Sequence, residues 1–121
     1  MAFKDMHYAQ TPLAHALGFI GEEGNELALE VFKIARFGLL DGRPDAQVNN
    51  LHTLQAELSD LVAAVRVANM ELAAHGLPQL VLDDEVAIQK KITKLAFYGH
   101  RSMRNCTLAA PLQIMSTQSP E

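Results

Sequence analysis

From Leu13 onward apolar residues return at intervals of three and four, at Leu13, Leu17, Ile20, Leu27, Val31 and Ile34, in a stripe that runs to about Phe37. That period predicts a long amphipathic helix. Thr11-Pro12 is its start signal, with Thr as N-cap and Pro at the first helical position, and Gly38 is its stop. Gly18, Gly21 and Gly24 lie inside it. Each interior glycine costs about 1 kcal/mol relative to alanine, so the spacing predicts a kink, a close backbone approach or a break into two helices near Gly18 to Gly21. The slot between Ile20 and Leu27 in the stripe is taken by a carboxylate, Glu23.

Leu39 to Asn50, with Asp41-Gly42-Arg43-Pro44-Asp45 inside it, has the composition of a loop. Asn49 or Asn50 can cap a second long helix that runs to His75 and is stopped by Gly76 and Pro78. Its stripe is Leu54, Leu58, Leu61, Val65, Ala68 and Leu72; Glu57 borders that stripe and Asp60 sits a turn further on. A third helix starts at Asp83 or Asp84 and extends to about Tyr98, with Val86, Ile88, Ile92 and Leu95 for packing and Gly99 as its end. Residues 1–10 show no clear period, although Phe3, Met6 and Tyr8 suit a short turn or helix. From His100 the chain reads as a tail that wraps a neighbour or frays. The expected architecture is an all-α bundle in one domain over 1–121, with its core at about 11–99 and a C-terminal tail at 100–121.

Composition agrees. Trp is absent, and Ala, Leu, Val and Ile dominate the apolar residues without the valine- and threonine-rich runs of a sheet protein. No apolar run reaches the about 20 residues a membrane span needs, no signal-type segment opens the chain, and the single Cys106 has no intramolecular partner, so a reducing cytoplasm is expected. The net charge of −4 argues against a surface for nucleic-acid phosphates. The charge is uneven: residues 1–89 carry 13 acids against 5 Lys or Arg, whereas residues 90–104 carry Lys90, Lys91, Lys94, Arg101 and Arg104 and no acid. That basic island complements a helix C-terminus or meets an anion.

The acids have their own pattern. Glu22, Glu23 and Glu26 share one helix face, and Glu57 and Asp60 share another. Antiparallel packing of the two helices would converge up to five carboxylates, where two unit charges about 4 Å apart repel by about 4 kcal/mol at an effective dielectric near 20. A divalent cation or shared protons would relieve this. The ordinary alternative is a solvated charged face, but Glu23 and Glu57 share faces with leucines, which solvation would drag into water. A di-iron site needs Glu-x-x-His pairs, and none of His7, His15, His52, His75 and His100 has a Glu three residues before it. Oxygen ligands alone point to Mg²⁺, with Mn²⁺ as the second choice. Such an ion completes its shell with substrate phosphates, which the island at Lys90, Lys91 and Lys94 can meet from the far side. Phosphoryl or nucleotidyl hydrolysis is the chemistry this set suits, with a spare carboxylate as base.

Glu22-Glu23-Gly24-Asn25-Glu26 on one helix and Glu57-Leu58-Ser59-Asp60 on the next resemble the EExxE and ExxD motifs of the MazG-like all-α nucleoside triphosphate pyrophosphohydrolases. The third helix, at Lys91-Ile92-Thr93-Lys94-Leu95, resembles the Asn-x-x-Lys segment of that superfamily, with Lys91 where Asn is usual. The resemblance implies Glu23, Glu26, Glu57 and Asp60 as Mg²⁺ ligands. It implies Glu22 as the activating base or a ligand to a further metal, and Lys94, with Lys91 beside it, as a phosphate contact. It also implies hydrolysis of a nucleoside triphosphate to monophosphate and pyrophosphate by a homodimer or homotetramer. Alternatives within the superfamily are dUTP- or dCTP-type enzymes and one acting on phosphoribosyl-ATP; outside it stands a helical interaction protein without activity. The base pocket is not legible, and His15, Phe19 and Asn25 are candidates by position alone. Association is expected on physical grounds too, since amphipathic helices of this length present apolar surface on more than one side.

Overall fold

The structure, a computed structural model, describes residues 10–43 and 48–117. The expected turn at Phe3, Met6 and Tyr8 lies outside these residues, as do Pro44 and Asp45 of the loop. The described chain is all-α: three helices, α1 (Pro12–Phe37), α2 (Asn50–Ala74) and α3 (Glu85–Arg104), are followed by a one-turn 3₁₀ segment at Gln113–Ser116. By contact density the chain divides after Leu80 into two compact units.

In the first unit α1 packs on α2. The ends of α1 are those that the sequence signals: the Thr11 hydroxyl accepts the Ala14 amide at 3.1 Å, and Gly38, at φ 93°, donates its amide to the Ile34 carbonyl. The helix is unbroken, as the stripe predicts, so the alternative of a break near Gly18 to Gly21 is not found. Nor is a close approach, because a Cβ at Gly18, Gly21 or Gly24 would meet nothing within 4 Å.

Between the helices the expected loop carries a minimal antiparallel ladder, β1 (Gly42–Arg43) against β2 (Val48–Asn49). Gly42 is required there, because a Cβ would run into the Val48 carbonyl and the Asn49 Cα. Asn49 caps α2 by accepting the His52 amide at 3.0 Å, while its own amide donates to His52 Nδ1 at 3.4 Å. Asn50, almost fully buried, donates its carboxamide to the Gly38 carbonyl at 2.8 Å and its backbone amide to Asp41 at 2.7 Å. These bonds bring the end of α1 to the start of α2, so the two helices run antiparallel. α2 ends at a His75 C-cap with Gly76 at φ 66°.

Among the buried and half-buried positions of α1, Leu13, Ala16, Ile20, Glu23, Leu27, Glu30 and Ile34 follow a regular alternation of three and four, with half-buried Phe19 and Gly24 beside them. On α2 the corresponding seam runs through Asn50, Leu54, Glu57, Leu61, Ala64, Val65, Ala68 and Leu72. This is heptad packing, and it departs from the expected stripes in an informative way. Leu17, Val31 and Leu58 face out, while Ala16, Glu30 and Glu57 take the seam. Small or charged side chains hold inner positions that a search for large apolar residues assigns to their neighbours.

The second unit begins at Val81. Asp84 caps α3 through the Ala87 amide at 3.1 Å. Gly99 does not end this helix, which continues to Arg104. Nor is the segment after His100 simply a tail: residues up to 117 fold back so that Met115 is buried and Leu112 and Met115 lie over Gly99. A Cβ at Gly99 would stand 2.8 Å from the Met115 sulfur, so the glycine is a landing site for the returning chain rather than a stop signal. Val86, Ile88 and Leu95, expected to pack, are exposed. Among the described residues no helix is long and apolar enough to cross a membrane.

Candidate metal centre

The α1–α2 seam places carboxylates from both helices at one level. Glu23 of α1 and Glu57 and Asp60 of α2 each offer an oxygen, and these oxygens lie within 4.8 Å of one another. Glu23 and Glu57 are half-buried and Asp60 is exposed. They meet because Glu23 falls on the inner heptad positions of α1, Glu57 on those of α2, and Asp60 one turn beyond Glu57.

Electrostatics at Glu57 follow from this crowding. Partial removal from water, then the charges of Asp60, Glu26, Glu23 and Glu30, raise its carboxyl above the ordinary value of 4.5. Four neighbouring carboxylates push in one direction, which is the field a divalent cation would neutralise. Three carboxylate donors without imidazole or thiolate suit a hard cation of the Mg²⁺ or Mn²⁺ type, with coordination left over for water or a phosphate. The donor set therefore fits the ion that the sequence suggests.

The remaining candidates fall into place unequally. Glu26 stands outside the triad, exposed, yet near enough to act on Glu57. Glu22 is exposed on α1 beside Glu23 and, among the described residues, belongs to no group of convergent ligand atoms. Lys91 and Lys94 are exposed on α3, in the second unit. His15 is exposed and sits edge-on to the Phe19 ring, centroids 4.9 Å apart; Asn25 is exposed one position before Glu26.

Two residues that the sequence motifs do not flag also belong to this neighbourhood. Glu30 is 7% exposed, its Oε1 is buried without a hydrogen-bond partner, and its Oε2 lies 3.9 Å from the Lys33 ammonium. An inward carboxylate with one orphan oxygen is costly, and its charge adds to that felt by Glu57. The signal for it was available: Glu30 lies seven residues beyond Glu23, at the same heptad position. Lys33 follows one turn later and brings a positive charge to the acidic seam. No protein-family model, curated protein or solved structure matches the chain.

Proposed function

We propose that the protein is a Mg²⁺-dependent nucleoside triphosphate pyrophosphohydrolase of MazG-like type, working as a homo-oligomer in the cytoplasm on the nucleotide pool. The observation that carries this is the convergence of Glu23, Glu57 and Asp60 from two helices to within 4.8 Å, in a seam whose field raises the Glu57 carboxyl. A set of this kind bound to Mg²⁺ would supply charge neutralisation for a polyphosphate. Glu23, Glu57 and Asp60 would hold the ion, with Glu26 completing or supporting the set. Glu22, exposed one residue before Glu23, is the residue that the resemblance assigns as base toward an attacking water or as ligand to a further metal. Water adds at the α-phosphorus, the bond to the bridging α–β oxygen breaks, and pyrophosphate leaves with a nucleoside monophosphate as the other product. Lys91 and Lys94 are the phosphate contacts that the resemblance assigns to α3.

The test is pyrophosphate release from a panel of nucleoside triphosphates with and without Mg²⁺, including deoxyuridine and deoxycytidine nucleotides and phosphoribosyl-ATP. Turnover that requires Mg²⁺ and falls by at least 100-fold in Glu57→Ala is expected, about the loss that accompanies removal of one electrostatic partner of a reacting group. No turnover with any nucleotide, and no Mg²⁺-dependent rise in melting temperature, would leave the helical interaction protein as the better assignment.

A further inference from the structure

Beyond the carboxylates, toward the β1–β2 end of the helix pair, lies a cavity of about 500 Å³ walled by Lys33, Phe37, Asp41, Val48, Asn50 and Thr53. We propose that this cavity receives the nucleoside of a nucleotide whose phosphates lie against the carboxylate seam, an assignment that rests on the pyrophosphohydrolase function above.

Continuity comes first. On α1 the series Glu23, Glu26, Glu30, Lys33, Phe37 keeps one face at steps of three and four, and on α2 Asn50, Thr53, Glu57, Asp60 does the same. The cavity therefore begins one helical turn from the acids: Thr53 precedes Glu57 by four residues, a rise of about 6 Å. A ligand anchored at the triad and extended along the helix pair enters it directly. The volume lies within the range of about 300–1,000 Å³ typical of small-molecule pockets.

The lining is mixed, as recognition of a heterocycle with a sugar requires. Phe37 is 55% exposed, and the Arg36 guanidinium sits 5.2 Å from its ring centroid. A ring with an adjacent guanidinium plane is the kind of surface on which bases stack. Val48 adds apolar wall. Lys33 contributes a donor whose ionic contact among the described residues is the loose 3.9 Å approach to Glu30, and Asp41 contributes an acceptor. Buried Asn50, tied to Gly38, and Thr53, whose hydroxyl donates to the Asn49 carbonyl at 3.4 Å, fix the floor. Lys33 both lines the cavity and approaches the inward Glu30, so its ammonium can meet the phosphate nearest the nucleoside.

Binding is measured on the full chain in EDTA with a nucleoside monophosphate series, by amide chemical-shift mapping and calorimetry. Shifts are expected at Phe37, Val48 and Thr53, with affinity lowered roughly tenfold in Phe37→Ala, as loss of one stacking contact implies. Mg²⁺-tripolyphosphate, which has no nucleoside, is expected to bind wild type and Phe37→Ala alike. Shifts that map elsewhere, or unchanged nucleotide affinity in Phe37→Ala, would overturn the cavity assignment while leaving a Mg²⁺-dependent hydrolase intact. Monophosphate binding in the cavity without Mg²⁺-dependent turnover would uphold the cavity and remove the hydrolase. No monophosphate binding would overturn the cavity, and only if Mg²⁺-dependent turnover of nucleoside triphosphates is absent as well would both be removed.

Discussion

Glu57 is the residue on which the site turns. Its carboxyl is raised above 4.5 in the folded chain, so ionising it costs the folded state more than the unfolded one. The associated stability is complete below the ordinary carboxylate value and is lost as pH rises through the raised one. Melting temperature of the metal-free protein is therefore expected to fall as pH rises above about 4.5. Mg²⁺ should restore it at neutral pH. Glu57→Gln should flatten the profile and remove the Mg²⁺ response. An identical pH slope in the variant would place the titration elsewhere. The motif residues were legible because each lies three or four positions from another acid on a recognisable helix. Glu30, although four residues beyond Glu26, was not, since it falls outside both acidic motifs and next to Val31, which attracts the inner position until the heptad shared with Glu23 shows Glu30 facing inward.

At the scale of elements, helix starts were the most legible features, because Thr11, Asn49 and Asp84 each carry a side-chain acceptor that caps the next turn. Glycines misled. Gly99 resembles a helix terminus in sequence, but its reason is a contact with Met115, which lies 16 residues away and leaves no local trace. The inner-facing stripe was off by one position at Ala16, Glu30 and Glu57 because a period of 3.6 leaves adjacent positions nearly equivalent and the larger apolar residue attracts the assignment. Two opposite outcomes follow for the same kind of substitution. Gly99→Ala is expected to destabilise by about 1–3 kcal/mol through overpacking against Met115 and Leu112. Gly18→Ala, where a Cβ meets nothing within 4 Å, is expected to stabilise by about 1 kcal/mol. Urea titrations of both variants check this, and equal effects would contradict the packing at Gly99.

For the molecule as a whole, the buried apolar core is slight: Ala16, Ala64, Val65, Ala68, Ala96 and Met115 are its buried members among the described residues. Meanwhile Leu29, Phe32, Leu40 and Met70 of the first unit are exposed, Leu40 by 74% and Met70 by 71%. Apolar area left in water on this scale favours association at about 25 cal/mol per Å² covered. Sedimentation at micromolar concentration is expected to give a multiple of the 13.3 kDa chain mass, and Phe32→Glu is expected to shift it toward the monomer. A wild-type monomer at that concentration would exclude the assembly.

The inward-facing Glu30 has one more consequence. Two helices zipped by apolar residues alone can slide by seven residues and still bury leucine against leucine, so their alignment is degenerate. A carboxylate in the seam breaks that degeneracy. Displaced by one repeat toward the N-terminal end of α1, Glu30, with Lys33 riding on the same helix, would come level with Glu57 and Asp60 where Glu23 now stands. Glu23 would be pushed along the seam toward the buried apolar positions of α2 such as Ala64 and Val65. The acids that burden the native arrangement burden the slipped one more, and so act as an alignment key for the helices that carry the candidate ligands. Glu30→Leu is accordingly expected to raise the denaturation midpoint and, at the same time, to multiply the amide resonances of α1 and α2 as alternative registers become populated. A single sharp set of resonances in that variant would show that the helices find their alignment without it.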